Sequence, residues 1–173
     1  MVKCIPPVRC ARKIRRTLSV VESDRKYSNA DQVQCAVARH YERKHGAAYV
    51  AIGNLPKFDI QFADKITLEV KVDVMAGKTL NAAIEFWDVR RDKPTGILET
   101  TASLWLHCVP EGEALRCYEL DTKRLLRLCI ETGEMRTGGD YNSSLLKIIP
   151  LQKIREISNQ DFYLETTQTR NVA

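Results

Sequence analysis

The sequence predicts one α/β domain: a central mixed sheet flanked by helices. Three features lead there. Residues 30–45 carry apolar side chains at helical spacing, residues 47–89 hold a series of strand-like segments, and residues 104–154 read strand, strand, helix, strand. The 173 residues, 44% hydrophobic and 28% charged, suffice for one buried core, which excludes a fibrous or disordered chain. No window approaches the roughly 18 apolar residues of a membrane helix, and the basic start lacks an apolar run behind it. Neither a span nor a signal peptide is expected. Six cysteines at irregular spacing in a chain of this size argue against a disulfide scaffold and for a reducing, cytoplasmic setting.

Residues 1–27 show no sustained periodicity, and Pro6-Pro7 opposes an early helix, so they read as an extension. The domain proper is 28–173. Ser28 or Asn29 can cap a helix over 30–45, with Asp31 in its first turn, Val33, Val37 and Tyr41 on one face, and Gly46 as its stop. AAYVAI (47–52) follows as a strand; FDIQF (58–62) and ITLEVKVDV (66–74) alternate with period two. NAAIEFWDV (81–89) is a further strand, followed by a Pro94/Gly96 turn and a short segment over 97–103. LWLHCV (104–109) and ALRCYEL (114–120) pair across Pro-Glu-Gly-Glu, and Asp121 or Thr122 caps a helix running to Thr132. Arg136-Thr137-Gly138-Gly139-Asp140 reads as a turn, and SLLKIIPLQKI (144–154) as a late strand in which Pro150 implies an edge or a break.

Charge is unevenly spread. Residues 1–46 hold 11 Lys/Arg against 4 Asp/Glu, whereas residues 47–173 hold 16 against 18. An arm with Arg12, Lys13, Arg15 and Arg16 suits phosphates, since each neutralised phosphate releases counterions; the plain alternative is a solvated terminus.

Residues 58–74 carry the chemistry. A hairpin with the loop Ala63-Asp64-Lys65 opposes Ile60 to Leu68 and sets Asp59 across from Glu69, with Cβ atoms roughly 4.5–5.5 Å apart. Alternation puts Thr67, Glu69, Lys71 and Asp73 on one face and Leu68, Val70 and Val72 on the other. Two facing carboxylates repel unless positive charge lies between them. A hard divalent cation such as Mg²⁺ would supply it, taking one or two carboxylates and leaving other positions to water and phosphate. The plain alternative is a solvated polar face in which Lys71 offsets the acids.

The pattern Asp-x9-Glu-x-Lys, with an apolar second strand and a helix just upstream, resembles the PD-(D/E)XK nuclease superfamily from the 30–45 helix to about Trp87. The Pro-Asp pair of that family is spread here over Pro56-Lys57-Phe58-Asp59. Residues 81–109, with Asn-Ala-Ala-Ile-Glu-Phe and Lys93-Pro94-Thr95-Gly96-Ile97, look like small phage and bacterial nuclease-like or Holliday-junction-resolvase-like members. The resemblance implies a restriction-endonuclease-like αβββαβ core and a Mg²⁺-dependent DNA endonuclease, with Mn²⁺ substituting and 5′-phosphate products. Asp59, Glu69 and the Val70 backbone carbonyl would hold the metal and Lys71 would position water. Glu85 would be an added ligand or phosphate neighbour if it reaches the site, and otherwise a half-exposed strand glutamate. Where many members carry a helix glutamate this chain has Gln34, with Asp31 as a substitute a turn away. That departure leaves an alternative: a catalytically decayed nucleic-acid-binding or assembly protein on the same fold. The resemblance further implies an intracellular setting, a phage-encoded protein in its host's cytoplasm among them, with DNA as partner and a homodimer if both strands are cut. Elsewhere, His107 reads as a satisfied core histidine, His40 and His45 as facing solvent or phosphate, and Cys4 and Cys10 lack a zinc-type CxxC.

Overall fold

The computed structural model describes residues 30–165 apart from 47, 54 and 56. Arg12, Lys13, Arg15 and Arg16, Ser28 and Asn29 expected as helix caps, Cys4, Cys10 and Pro56 lie outside the described residues. In chain order the elements are α1 (Ala30–His45), β1 (Tyr49–Ile52), β2 (Ile60–Phe62), β3 (Thr67–Val72), α2 (Ala76–Thr79), β4 (Asn81–Asp88) and β5 (Lys93–Pro94). A 3₁₀ turn (Gly96–Leu98) leads to β6 (Leu104–Glu111), β7 (Ala114–Asp121), α3 (Thr122–Thr132), β8 (Glu134–Gly138), β9 (Ser144–Pro150), α4 (Leu151–Ile157) and β10 (Gln160–Glu165). Among the described residues no helix is long and apolar enough to cross a membrane.

The strands form two sheets. The central one is mixed, ordered β1-β2-β3-β6-β7-β10, with β3 and β6 parallel and the other neighbours antiparallel. The second, ordered β5-β4-β9-β8, is antiparallel throughout. Parallel neighbours need a long crossover; here α2, β4 and β5 make it, so the chain lays down part of the second sheet between β3 and β6.

Period-two alternation sorts the central sheet's two faces. On one face Leu68 and Val70 of β3, Leu106 of β6 and Leu115 of β7 pack under Val33, Val37 and Tyr41 of α1. On the other face Trp105 and Val109 of β6 pack against Ile84 of β4, Ile149 of β9 and Leu125 of α3. Glu69 and Lys71 therefore face the second sheet, and the register of Glu69 beside Trp105 and Lys71 beside His107 puts them next to this inner core.

Asp73 joins the two sheets. Just beyond β3, its Oδ1 accepts the N–H groups of Met75 (3.1 Å) and Ala76 (3.0 Å) at the start of α2, and its Oδ2 accepts Ala83 N–H of β4 at 2.8 Å. Burial would raise its carboxyl pKa, but His107 and these backbone donors prevail and hold it below its ordinary value.

On the α1 face, the buried Glu119 of β7 is satisfied by Tyr41 O–H from α1 and by Gln160 Nε2 of β10, the latter at 2.6 Å. Burial, then Glu119, drives the Tyr41 phenol well above its ordinary pKa, so it remains a donor. Asp121 caps α3, accepting Arg124 N–H at 2.9 Å.

Several expectations are corrected. NAAIEFWDV extends the second sheet rather than the central one. Of the turn expected over 136–140, residues 136–138 belong instead to β8, paired with β9, and the chain turns only from Gly139 on. The segment 144–154 is not one strand: β9 ends at Pro150, the N-cap of α4, because proline presets a helix start but cannot donate within a sheet. No strand was expected over 160–165, where only Phe162 and Leu164 point inward. His107 is fully buried, but among the described residues neither ring nitrogen has a hydrogen-bond partner; Asp73 Oδ2 lies 3.6 Å from Nε2. His40, expected to meet solvent or phosphate, is half-buried and stacks on Phe162, with ring centroids 4.0 Å apart.

Asp73→Ala would strip three backbone donors of their charged acceptor at the joint between the sheets. It should cost about 2 kcal/mol or more, read as a lower urea midpoint.

Candidate active site between the two sheets

The expected hairpin forms in the expected register, with Ile60 opposite Leu68 and Gln61 opposite Thr67. Lys65, at φ 71°, makes the tight turn in the left-handed region. The main-chain ladder stops one residue before Asp59. Asp59 N–H still reaches Leu68 O at 2.8 Å, but its side chain then turns to β3 and Oδ2 accepts Val70 N–H at 2.7 Å. A carboxylate thus replaces the strand-to-strand bond that a 58–62 strand would have made. Among the described residues Asp59 Oδ1 has no donor. The N–H and C=O of one strand residue point to the same edge, so the Val70 carbonyl faces the edge that carries Asp59.

Asp59, Glu69 and Lys71 line one cavity of about 150 Å³, together with Phe58, Glu85 and the 95–100 loop. Glu85 arrives from β4 of the second sheet, where a bulge between Glu85 and Trp87 breaks the period-two pattern. It approaches Lys71, Oε2 to Nζ 3.6 Å. Both side chains are more than one-third exposed, so this pair is worth at most about 1 kcal/mol and can open. Gly96 permits the approach: a Cβ there would lie 2.5 Å from the Glu85 carbonyl oxygen, and its φ of +54° suits glycine.

Glu69 is held from the other side by Thr100, whose Oγ1 lies 3.2 Å from Glu69 Oε2 and 2.8 Å from Lys57 O. Oγ1 also accepts Ala102 N–H at 3.2 Å. A hydroxyl has one proton, so Thr100 cannot serve Lys57 O and an ionised Glu69 at once. Burial first, then the Asp59 charge, pushes the Glu69 carboxyl up to about 7, with Lys71 and Thr100 opposing and Glu85 adding to the rise. Burial also raises the Asp59 pKa, against the Val70 N–H bond and Lys71.

The donors are all oxygens, and negative charge exceeds what Lys71 offsets, which is the chemistry a hard cation satisfies. Among the described residues no three His, Cys, Asp or Glu side chains gather into a cage of their own. Mg²⁺ does not require one, since it takes one or two carboxylates and fills the rest with water and phosphate oxygens.

Of the accessory residues expected on α1, neither lines the cavity. Asp31 is exposed in the first turn. Gln34 lies on the buried side of α1, its Oε1 without a partner among the described residues, while Glu69 and Lys71 lie on the opposite sheet face. The helix therefore supplies no acid here, and Glu85 stands in the cavity instead. Thr100, 31 residues from Glu69, had no local sign in the sequence. Arg136 lies on β8 and pairs with Glu134 at 2.9 Å, away from the cavity. No family model, curated protein or solved structure matches this chain.

A carboxyl whose folded pKa is raised adds stability that is full below its unfolded pKa and lost as pH rises through the folded one. For Glu69 that window runs from about 4.5 to about 7. In EDTA, Glu69→Gln should match the parent near pH 4 and melt roughly 2–4 °C or more above it at pH 8. Equal melting temperatures at both pH values would contradict the burial of this charge.

Proposed function

We propose that this protein is a Mg²⁺-dependent nuclease that hydrolyses DNA phosphodiester bonds. One observation carries the reading: Asp59, Glu69 and Lys71 line a single cavity, where burial raises the pKa of both acids and the Asp59 charge adds to the rise at Glu69. Perturbed acids in a cleft beside an ammonium are what hydrolytic sites need, and a merely solvated polar face would lack the burial.

Asp59 Oδ1, the Glu69 carboxylate and the Val70 carbonyl are the groups that would hold the cation. When bound, the cation would stabilise charge on the phosphate and on the attacking and leaving oxygens. The chain's own contribution is placement. The Val70 N–H bond fixes the Asp59 rotamer, Thr100 fixes Glu69, and both rest on β3, so the acids cannot drift apart as loop residues could. Lys71 Nζ, on the same strand face as Glu69, is positioned to orient water and to meet a phosphate oxygen. Its weak pairing with Glu85 holds the ammonium in the cavity until substrate competes for it. The PD-(D/E)XK assignment remains part of this proposal: β1, β2 and β3 as an antiparallel meander beside a parallel β6 is consistent with it, and the second sheet occupies the crossover.

Purified parent protein should nick supercoiled plasmid in Mg²⁺ or Mn²⁺ and not in EDTA. Lys71→Ala and Asp59→Ala should each lower the rate by at least about 100-fold, the scale of losing a positioned catalytic group, while DNA binding persists. Undiminished nicking by either variant defeats the assignment. Metal-independent DNA binding with no nicking by the parent would instead support the decayed, binding-only alternative.

A further inference from the structure

The second sheet extends past the cavity and ends in two adjoining turns. From Glu85 in the cavity, β4 runs outward to Asp88, and β5 returns at Lys93 to the cavity wall at Thr95 and Gly96. The turn over 89–92 therefore starts four residues from Glu85, roughly 13 Å along the strand. Val89 N–H donates to Ser143 O at 2.8 Å, tying it to the turn that joins β8 to β9.

Tyr141 sits at the tip of that second turn. It is 89% exposed, well beyond any other large hydrophobic residue among those described. Its φ of 58° is the left-handed region, which is uncommon for a bulky side chain and costs backbone energy. A tyrosine retained for stability would bury its ring; this one is held outward at a cost. The Arg90 guanidinium lies 5.4 Å from the ring centroid. Among the described residues Arg90 forms no ion pair, whereas Arg91 is tied to Asp88 at 3.7 Å and Lys93 to Glu99 at 3.5 Å.

An exposed aromatic ring with a guanidinium beside it is the pairing that accepts an unstacked base and its phosphate. Bases inside a duplex are stacked on one another and offer no such face. We propose that Tyr141 and Arg90 form a base-stacking platform that directs the cavity to nucleic acid with an unpaired base, as at a frayed end, flap or junction. The base lies on the Tyr141 ring and Arg90 takes the adjoining phosphate. The inference rests on the nuclease reading for which phosphate is cut, but the contact itself does not need cleavage. The turn that carries Arg90 starts roughly 13 Å along the strand from Glu85, well under one ~34 Å turn of duplex, so the phosphate that Arg90 takes lies within one helical turn of the scissile bond. Stacking uses a face that every base has, so sequence preference is weak.

The test is fluorescence anisotropy with the full chain in EDTA, using a labelled short oligothymidine and a blunt duplex of matched length. Tyr141→Ala should weaken oligothymidine binding about tenfold, within the range of one base-aromatic stack, and change duplex binding less than about twofold. Tyr141→Phe should retain the parent affinity, because the ring and not the hydroxyl makes the contact. Arg90→Ala should weaken binding and flatten its salt dependence by about one phosphate contact. Unchanged melting temperatures would verify that these exposed substitutions leave the fold intact. Equal losses on both ligands, no loss with Tyr141→Ala, or a parent that does not bind the single strand would each overturn the platform. Because EDTA removes cleavage from every arm, a failure here is separate from a failure to nick plasmid.

Discussion

The acceptance of Val70 N–H by Asp59 Oδ2 is the interaction on which the site depends. It ends the ladder between β2 and β3 without leaving a buried amide unpaired, which would cost about 1–3 kcal/mol. It also locks one acid against the strand that bears the other. The two carboxylates are thus brought together by a backbone constraint and not by mutual attraction. Their repulsion and burial are held in the fold as a raised Glu69 pKa and a charge imbalance that a cation would relieve.

The rest of the architecture can be understood as support for that geometry. The parallel pairing of β3 and β6 requires a crossover, and this chain uses the crossover to begin a second sheet. That sheet covers the inner core around Trp105 and delivers Glu85 to the cavity. Asp73 fastens the start of β4, and Gly96 lets the returning loop lie directly on the Glu85 backbone. The same two β-strands that place Glu85 then continue outward to Arg90 and Tyr141, so one sheet carries both a cavity acid and an exposed recognition surface.

The opposite face of the central sheet follows a different rule. There the polar groups serve cohesion: Glu119 is enclosed by Tyr41 and Gln160, linking α1, β7 and β10. Gln34 shares that buried side and has no role in the cavity. Helical spacing identified it as inward-pointing, which it is. Inward on α1, however, means toward the aliphatic face of β3 and not toward its charged one.

Local patterns were legible wherever one rule acted within a few residues. The 30–45 helix, the hairpin register, the two faces of β3 and the Asp121 cap all follow from periodicity, turn chemistry and capping, which depend on near neighbours. Asp59, Glu69 and Lys71 were legible as a site because the 13 residues from 59 to 71 lie in one hairpin, where register alone brings them close. What the sequence could not decide was set at long range. Whether 81–89 joins the central sheet or founds another depends on which edge has free hydrogen-bonding groups. The strand character of 160–165 depends on β7 offering an edge, and the Thr100 contact depends on two loops that meet only after β6 packs beside β3. Glu85 entered the cavity for the same reason: a side chain's neighbours across a sheet interface are fixed by packing, which local preference does not encode.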